Sequence, residues 1–230
     1  RYILNHQFPP KFVGFICNFK KSKRYVEYEK LKDLINIEKN DISFVSVLVD
    51  PDEKILEKIK ELNFDYYQLY DVSPERTKTI KEKYNTKIIT ALTIKTQNDV
   101  EIYSNYNKIS DIILFDGKGY EKSIGFNHEL LNYVPDSVNK MIAGNIKIED
   151  IPTFKNKDYF IDLSGSLENE EGKKDKKKLT NYWILQLKMK LKKGIPVIDQ
   201  GDKLGFWGGK FGGNFVPEAL KKPIEDLEIQ

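Results

Sequence analysis

Short apolar runs alternate along this chain with longer stretches in which charged residues interrupt an apolar face, the signature of repeating strand–helix units. The runs predict strands over 12–17, 43–49, 66–69, 88–93, 112–116, 140–143 and 159–163. Between them the pattern predicts helices over 27–36, 52–63, 74–84, 98–106 and 148–154, and a long one over 174–192. The segment 52–63 carries Ile55, Leu56, Ile59 and Leu62 on one helical face, and Pro51 just ahead of it suits a helix start. Strands joined by helical crossovers form a parallel sheet, and a sheet of this kind curls into a barrel. Eight strands close the usual (β/α)8 barrel, and the pattern here supplies one fewer. The opening residues 1–7 (RYILNHQ) read as the tail of a helix, so the expected fold is a parallel α/β barrel lacking its first strand.

The rhythm changes after Lys193. Residues 194–217 are rich in glycine and aromatics, with LGFWGGKFGGNFVP at the centre, and a short predicted helix over 217–227 follows. Two regions are therefore expected: 1–193, a barrel incomplete at its N-terminus, and 194–230, a linker with the opening of another module.

Composition narrows the function. The 230 residues are 40% hydrophobic, enough for a substantial core. Lys and Arg number 38 against 35 Asp and Glu, a net +3 with the signs interspersed, which offers no electrostatic case for nucleic acid. No apolar run approaches the roughly 20 residues of a membrane helix. The single cysteine excludes an intramolecular disulfide and fits a reducing cytoplasm.

The most informative stretch is 158–175, DYFIDLSGSLENEEGKKD. An apolar run ends in Asp162 and passes into Ser164, Gly165 and Ser166, ahead of a lysine-rich helix. Such a turn offers backbone N–H groups and hydroxyls to an anion, as the loops after the last two strands of α/β barrels do for a substrate phosphate. A phosphosugar enzyme is the class this points to. Asp116 ends another apolar strand, where a carboxylate meets the active face of a barrel, although it also suits a cap on the DGKG turn that follows. His6 and His128 have no metal-ligand partners at useful spacing and read as structural, so no metal is expected. In the lysine-rich helix, Leu179, Trp183, Leu187 and Leu191 recur every fourth residue, the pattern of a packing helix with a solvated outer face rather than a membrane-surface one.

Six pieces in order resemble phosphoribosylanthranilate isomerases of tryptophan biosynthesis. They are GFICNFKKSKRY (14–25), VSVLVD (45–50), YYQLY (66–70), ILFDGKG (113–119), MIAGNI (141–146) and IDLSGSLENEEGKKD (161–175). The tail GFWGGKFGGNFVPEAL (205–220) resembles the first residues of the tryptophan synthase β chain. The resemblance implies a TIM barrel and an Amadori rearrangement. N-(5-phosphoribosyl)anthranilate would become 1-(2-carboxyphenylamino)-1-deoxyribulose 5-phosphate, without metal or organic cofactor. The tail implies association with tryptophan synthase subunits.

The resemblance also assigns roles. Asp116 would be the general acid, and Arg24 would pair with the anthranilate carboxylate. Asp162 would orient groups near the site. Gly144 and Asn145, with Ser164, Gly165 and Ser166, would bind phosphate, although Asn145 and the order Ser-Gly-Ser depart from the family's usual Gly-Gly and Ser-Ser-Gly. Tyr70-Asp71 stands where the family usually has His-Gly; a tyrosine keeps a hydrogen bond and an aromatic wall. The family's base is a cysteine in a Lys-Ile-Cys-Gly motif on the first strand, a motif this sequence does not contain. Cys17 falls on the strand corresponding to the family's second and reads as a small buried residue. A different class therefore stays in view: a catalytically incomplete phosphate-binding barrel fragment joined to a tryptophan synthase β module. Two unpaired edges, at the strands of Phe12 and Tyr159, would leave such a chain poorly stable or prone to associate.

Overall fold

The computed structural model describes residues 2–6, 9–39, 41–117, 124–155 and 157–190, the side chains of 186–190 excepted. The chain divides into two compact units, Arg1–Lys174 and Asp175–Gln230. The composition change after Lys193 and the tail 205–220 lie outside the described residues.

The first unit is built on a parallel sheet whose spatial order follows chain order. Its strands are β1 (Phe12–Ile16), β2 (Ser43–Val49), β3 (Tyr66–Tyr70), β4 (Lys87–Thr93), β5 (Ile112–Asp116), β6 (Lys140–Ile142) and β7 (Tyr159–Ile161). Helices α1 (Tyr28–Ile35), α2 (Glu53–Lys60), α3 (Pro74–Tyr84) and α4 (Gln97–Glu101) connect the first five strands. Local chemistry sets their ends. Asp52 caps α2 by accepting from the Ile55 amide at 2.8 Å, and Ser73 caps α3 by accepting from Arg76 at 3.3 Å, with Pro74 at the first helical position. Asn85 ends α3 in the left-handed conformation, φ 46°.

Several predicted helices are shorter or tighter than the periodicity implies. The segment 98–106 divides into α4 and a 3-10 turn, Ile102–Asn105. Ile148–Phe154 is 3-10 throughout and carries Pro152, which has no N–H for a helical ladder. A further 3-10 stretch, His128–Tyr133, was not expected from the sequence pattern. Residues 2–5 form turns rather than a helix tail, and the His6 amide donates to the Ile3 carbonyl at 3.5 Å.

Side-chain alternation divides the strands into two faces. Val45, Ile89, Ala91, Ile112, Leu114, Met141 and Ala143 form one cluster, with Phe12, Val47, Tyr66 and Phe160 packed against it. Among the described residues no helix side chain joins that cluster, so it is the lumen side of the curl. The opposite parity packs against helices: Phe44, Leu48, Leu69 and Ile88 with Leu31, Leu56 and Ile80, and Ile113, Phe115 and Ile142 with Val100 and Phe154. β1 and β7 are the two edges of the sheet, yet the Phe12 and Phe160 rings meet edge to face with centroids 5.3 Å apart. Phe12 makes the same contact with Tyr66, and Lys11 lies 4.6 Å from the Phe160 ring centre. An aromatic seam thus brings the edges together where they share no ladder.

Of the second unit, the described part is α5 (Lys176–Lys190). Asp175 caps it, its carboxylate accepting from the amides of Lys177 and Lys178 at 2.8 and 3.2 Å. Leu179 and Trp183 are buried.

Leu114 is fully buried in the lumen cluster. Leu114→Ala is expected to remove about 2–5 kcal/mol of stability, read as a lower denaturant midpoint with an unchanged m-value.

Candidate active site

In a parallel sheet every strand ends on the same rim, and here that rim carries the turns with unusual backbone. Asp50 follows β2 at φ 36°, Asp71 follows β3 at 56°, and Gly144 and Asn145 follow β6 at 94° and 52°. Glycine is required at two places beside the end of β5. A Cβ on Gly117 would lie 1.8 Å from the Ile124 carbonyl oxygen, and one on Gly144 would lie 2.6 Å from that atom and 3.3 Å from Asp116 Oδ1. Gly117, Ile124 and Gly144 can therefore approach one another closely beside the Asp116 carboxyl.

Asp116 is the last residue of β5, has lumen parity with Ile112 and Leu114, and is 5% exposed. Tyr70 ends β3 with lumen parity, and its hydroxyl donates to Asp116 Oδ2 at 3.1 Å. Gln68, two residues earlier on the same face, donates to the Tyr70 oxygen at 3.3 Å. Burial first, then the negative charges of Asp116 and Asp162, raise the Tyr70 phenol well above its ordinary range. Both carboxylates therefore act on one hydroxyl inside one mouth.

Asp162 follows β7 with the parity of Phe160, and its amide donates to the Ile142 carbonyl at 2.8 Å. Surrounding protein raises its carboxyl, while Lys174 and Arg24 pull it back down. The side chain still reaches solvent at the rim, which limits the size of that shift.

Beyond Asp162 the chain turns through Ser164, Gly165 and Ser166. The Ser164 carbonyl accepts from the Leu167 amide at 3.3 Å and from Lys174 Nζ at 2.8 Å. Ser166 Oγ is buried with no hydrogen-bond partner among the described residues. An orphaned buried hydroxyl is costly unless something else satisfies it, and this one lies in a turn suited to an anion.

Arg24 lies in the loop after β1. Its Nε and Nη2 donate to the two oxygens of Glu168 at 2.5 and 2.8 Å, and Nη2 is 3.6 Å from a Cβ built on Gly165. Glu168 also accepts from Lys174 at 3.1 Å and lies 3.8 Å from Lys23. Its side chain is 3% exposed. Burial would raise the Glu168 carboxyl, but the Arg24 and Lys174 contacts outweigh it and the net shift is downward.

The family whose model fits this chain is described as N-(5'phosphoribosyl)anthranilate (PRA) isomerase, matched over residues 7–183. The chain belongs to the phosphoribosylanthranilate isomerase family. The N-(5'-phosphoribosyl)anthranilate isomerase of Rhizobium rhizogenes is 32% identical over 191 residues, covering 74% of this chain and 82% of the relative. That of Brucella canis is 30% identical over 182 residues with the same coverage. Among solved structures, the phosphoribosyl anthranilate isomerase of Thermotoga maritima superposes with a TM-score of 0.68 at 24% identity, over 76% of this chain and 87% of that one. The Thermus thermophilus enzyme gives 0.67 at 18%, over 78% and 88%. These two likenesses show the shared barrel fold.

Against this family background, the rim brings Asp116, Asp162, Gly144 and the turn 164–166 to one end of one sheet. Asn145 stands exposed beside Gly144. Arg24 is there too, but its fork is engaged by Glu168, a partner the sequence did not identify. Cys17 has the opposite parity: it packs among helix-facing residues, donates to the Phe15 carbonyl at 3.1 Å, and burial pushes its thiol up to about 12. It cannot serve the lumen as a base. His128 is wedged edge-to-face between Phe126 and Phe154, its imidazole titration lowered by burial. Groups of three or more metal-ligating side chains are absent among the described residues, and no helix among them is long and apolar enough to cross a membrane.

Sequence reasoning missed the structural roles of Glu168, Lys174 and Gln68. A signal existed for Gln68: in YYQLY, a glutamine shares the face of two aromatics in a strand that must be buried on both sides.

Because the Glu168 carboxyl is depressed in the folded state, its contribution is present above the ordinary glutamate range and is lost as pH falls through the lowered value. Stability is therefore expected to fall below about pH 4. Glu168→Gln should cost about 1–3 kcal/mol at neutral pH, less than a fully buried pair because the Arg24 side chain is 30% exposed. The variant should also flatten the acid-side loss, checked by denaturant melts at several pH values.

Proposed function

We propose that this protein isomerises N-(5-phosphoribosyl)anthranilate to 1-(2-carboxyphenylamino)-1-deoxyribulose 5-phosphate, an aldose–ketose Amadori rearrangement in tryptophan biosynthesis. The observation that carries the reading is the buried Asp116 carboxyl at the end of β5, beside Gly144 and on the same rim as the Ser164, Gly165 and Ser166 turn. A solved structure of a family member holds a reduced form of that ketose phosphate, at 23% identity to this chain.

Asp116 protonates the ribose ring oxygen as the C1–O bond breaks and the anilino nitrogen lone pair forms the C=N bond. Loss of the sugar C2 proton to a base then sends the C2–H electrons to C1–C2, and the C=N pair returns to nitrogen. The resulting enolamine tautomerises to the ketone. The substrate's own imine is the electron sink, so the reaction calls for no metal or organic cofactor. General acid catalysis of this kind supplies about 10²–10⁴-fold. Cys17 is not assigned as the base, because its side chain faces the helices.

Phosphate binding falls to Gly144, Asn145, Ser164, Gly165 and Ser166. The orphaned Ser166 hydroxyl and the backbone of these turns supply donors there, with Lys174 adding positive charge. Arg24 has more guanidinium donors than Glu168 uses, and the remaining edge is assigned to the anthranilate carboxylate. Asp162 orients groups between the two. We further read the protein as cytoplasmic, in line with its single buried thiol, and its tail at 205–220 as the opening of a tryptophan synthase β-like module that would bring it to other enzymes of the same route.

In the full-length protein, Asp116→Asn should lower kcat by at least about 10²-fold while phosphate-dependent binding of the ketose product persists. Steady-state kinetics and product-binding calorimetry check both halves. Full turnover by the variant would end the general-acid assignment.

A further inference from the structure

Tyr70 is absorbed by none of the roles above, yet its hydroxyl is hydrogen-bonded to Asp116. Its hydroxyl reaches Oδ2 at 3.1 Å, inside a lumen where both residues are 5% exposed. Gln68 donates to the same phenolic oxygen at 3.3 Å, which orients the O–H toward the carboxyl. The other carboxyl oxygen, Oδ1, lies on the side of the Gly144 turn, 3.3 Å from where a Cβ of that residue would stand. We propose that Tyr70 is a positioning residue of this site, holding the rotation of the Asp116 carboxyl so that Oδ1 faces the Gly144 side of the mouth. The inference rests on the reading of Asp116 as the general acid.

A carboxyl free to rotate about its last torsion presents either oxygen, and only one orientation puts the proton toward the ring oxygen. Holding Oδ2 removes that freedom, the kind of preorganisation on which proton transfer depends. The phenol is a durable donor, since burial and the neighbouring carboxylates keep it protonated far above neutral pH. The hydrogen bond it donates also favours the ionised form of the carboxyl it touches. Among the described residues, Asp162 after β7 acts on the Tyr70 phenol, and is itself balanced by Arg24 from the loop after β1 and by Lys174. Thr93, the register neighbour of Asp116 on β4, and Gly144 after β6 are uncharged.

The test measures kcat, KM and the ¹³C carboxyl titration of Asp116 in the full-length protein and in Tyr70→Phe, Tyr70→His and Asp116→Asn. Tyr70→Phe is expected to lower kcat about tenfold to hundredfold with KM within about twofold. The Asp116 titration should move up by about one pH unit, and Tyr70→His, which restores a ring N–H donor, should recover most of kcat. An unchanged kcat and an unchanged Asp116 titration in Tyr70→Phe would overturn the inference. If that variant loses its cooperative melt, Tyr70→Met decides: it fills the buried position without a donor, and an unmoved kcat and Asp116 titration there are equally fatal. Asp116→Asn separates the two levels. If it keeps full turnover, the general-acid reading fails; if it is inactive while Tyr70→Phe is indifferent, only the role of Tyr70 fails.

Discussion

Parallel register combined with side-chain alternation is the constraint on which the rest of this molecule depends. Each strand enters the sheet from the same side, so all carboxyl ends meet on one rim. Within each strand the side chains divide strictly by parity. Residues 70, 116 and 162 fall on the parity of the lumen cluster, whereas Cys17 falls on the parity that meets the helices. A slip of one residue in any ladder would exchange those sets, moving a carboxylate into the helix layer and an apolar side chain into the mouth. The aliphatic lumen, with Leu114 and Ile89 at its centre, makes that exchange costly and so holds the polar rim in register.

On that rim the charges are arranged as two linked groups. One is the Gln68–Tyr70–Asp116 chain, in which neutral donors stand behind a carboxyl. The other is Glu168 with Arg24, Lys23 and Lys174, where a buried carboxylate gathers cations and sets them beside the turn at 164–166. Asp162 lies within electrostatic reach of both. The arrangement suits a substrate with phosphate at one end, a carboxylate at the other and a sugar between them that must take and give up protons. Glu168 compensates the positive charge gathered beside the turn, and its two oxygens hold the Arg24 fork in one plane.

Much of this was legible in the sequence because strands in a parallel sheet are buried on both faces and therefore stand out as apolar runs. β2 and β5 begin and end where the runs do, and the others differ by a residue or two at their ends. The later crossovers were harder to read. Pro152 and the short segments around it leave too little chain for a full α-helix, and the resulting 3-10 turns carry no strong period. Asp116 and the Ser-Gly-Ser turn were visible because a polar residue closing an apolar run is a local signal. The partners of those residues were not, since Glu168 meets Arg24 across 144 positions of sequence and Tyr70 meets Asp116 across 46. Cys17 reads as a small buried residue from its place in the apolar run GFIC, and the parity of β1 supplies the geometric reason.

The central claim is that one sheet presents Asp116 and the phosphate turns to a single ligand. Titrating the full-length protein with the reduced carboxyphenylamino-deoxyribulose phosphate, while following the amide resonances of Gly144, Gly165 and Ser166 and the carboxyl resonance of Asp116, tests it directly. The account predicts that all four move together, with one dissociation constant and one stoichiometry. Turn amides that respond while Asp116 stays unmoved, or that saturate at a different concentration, would contradict it.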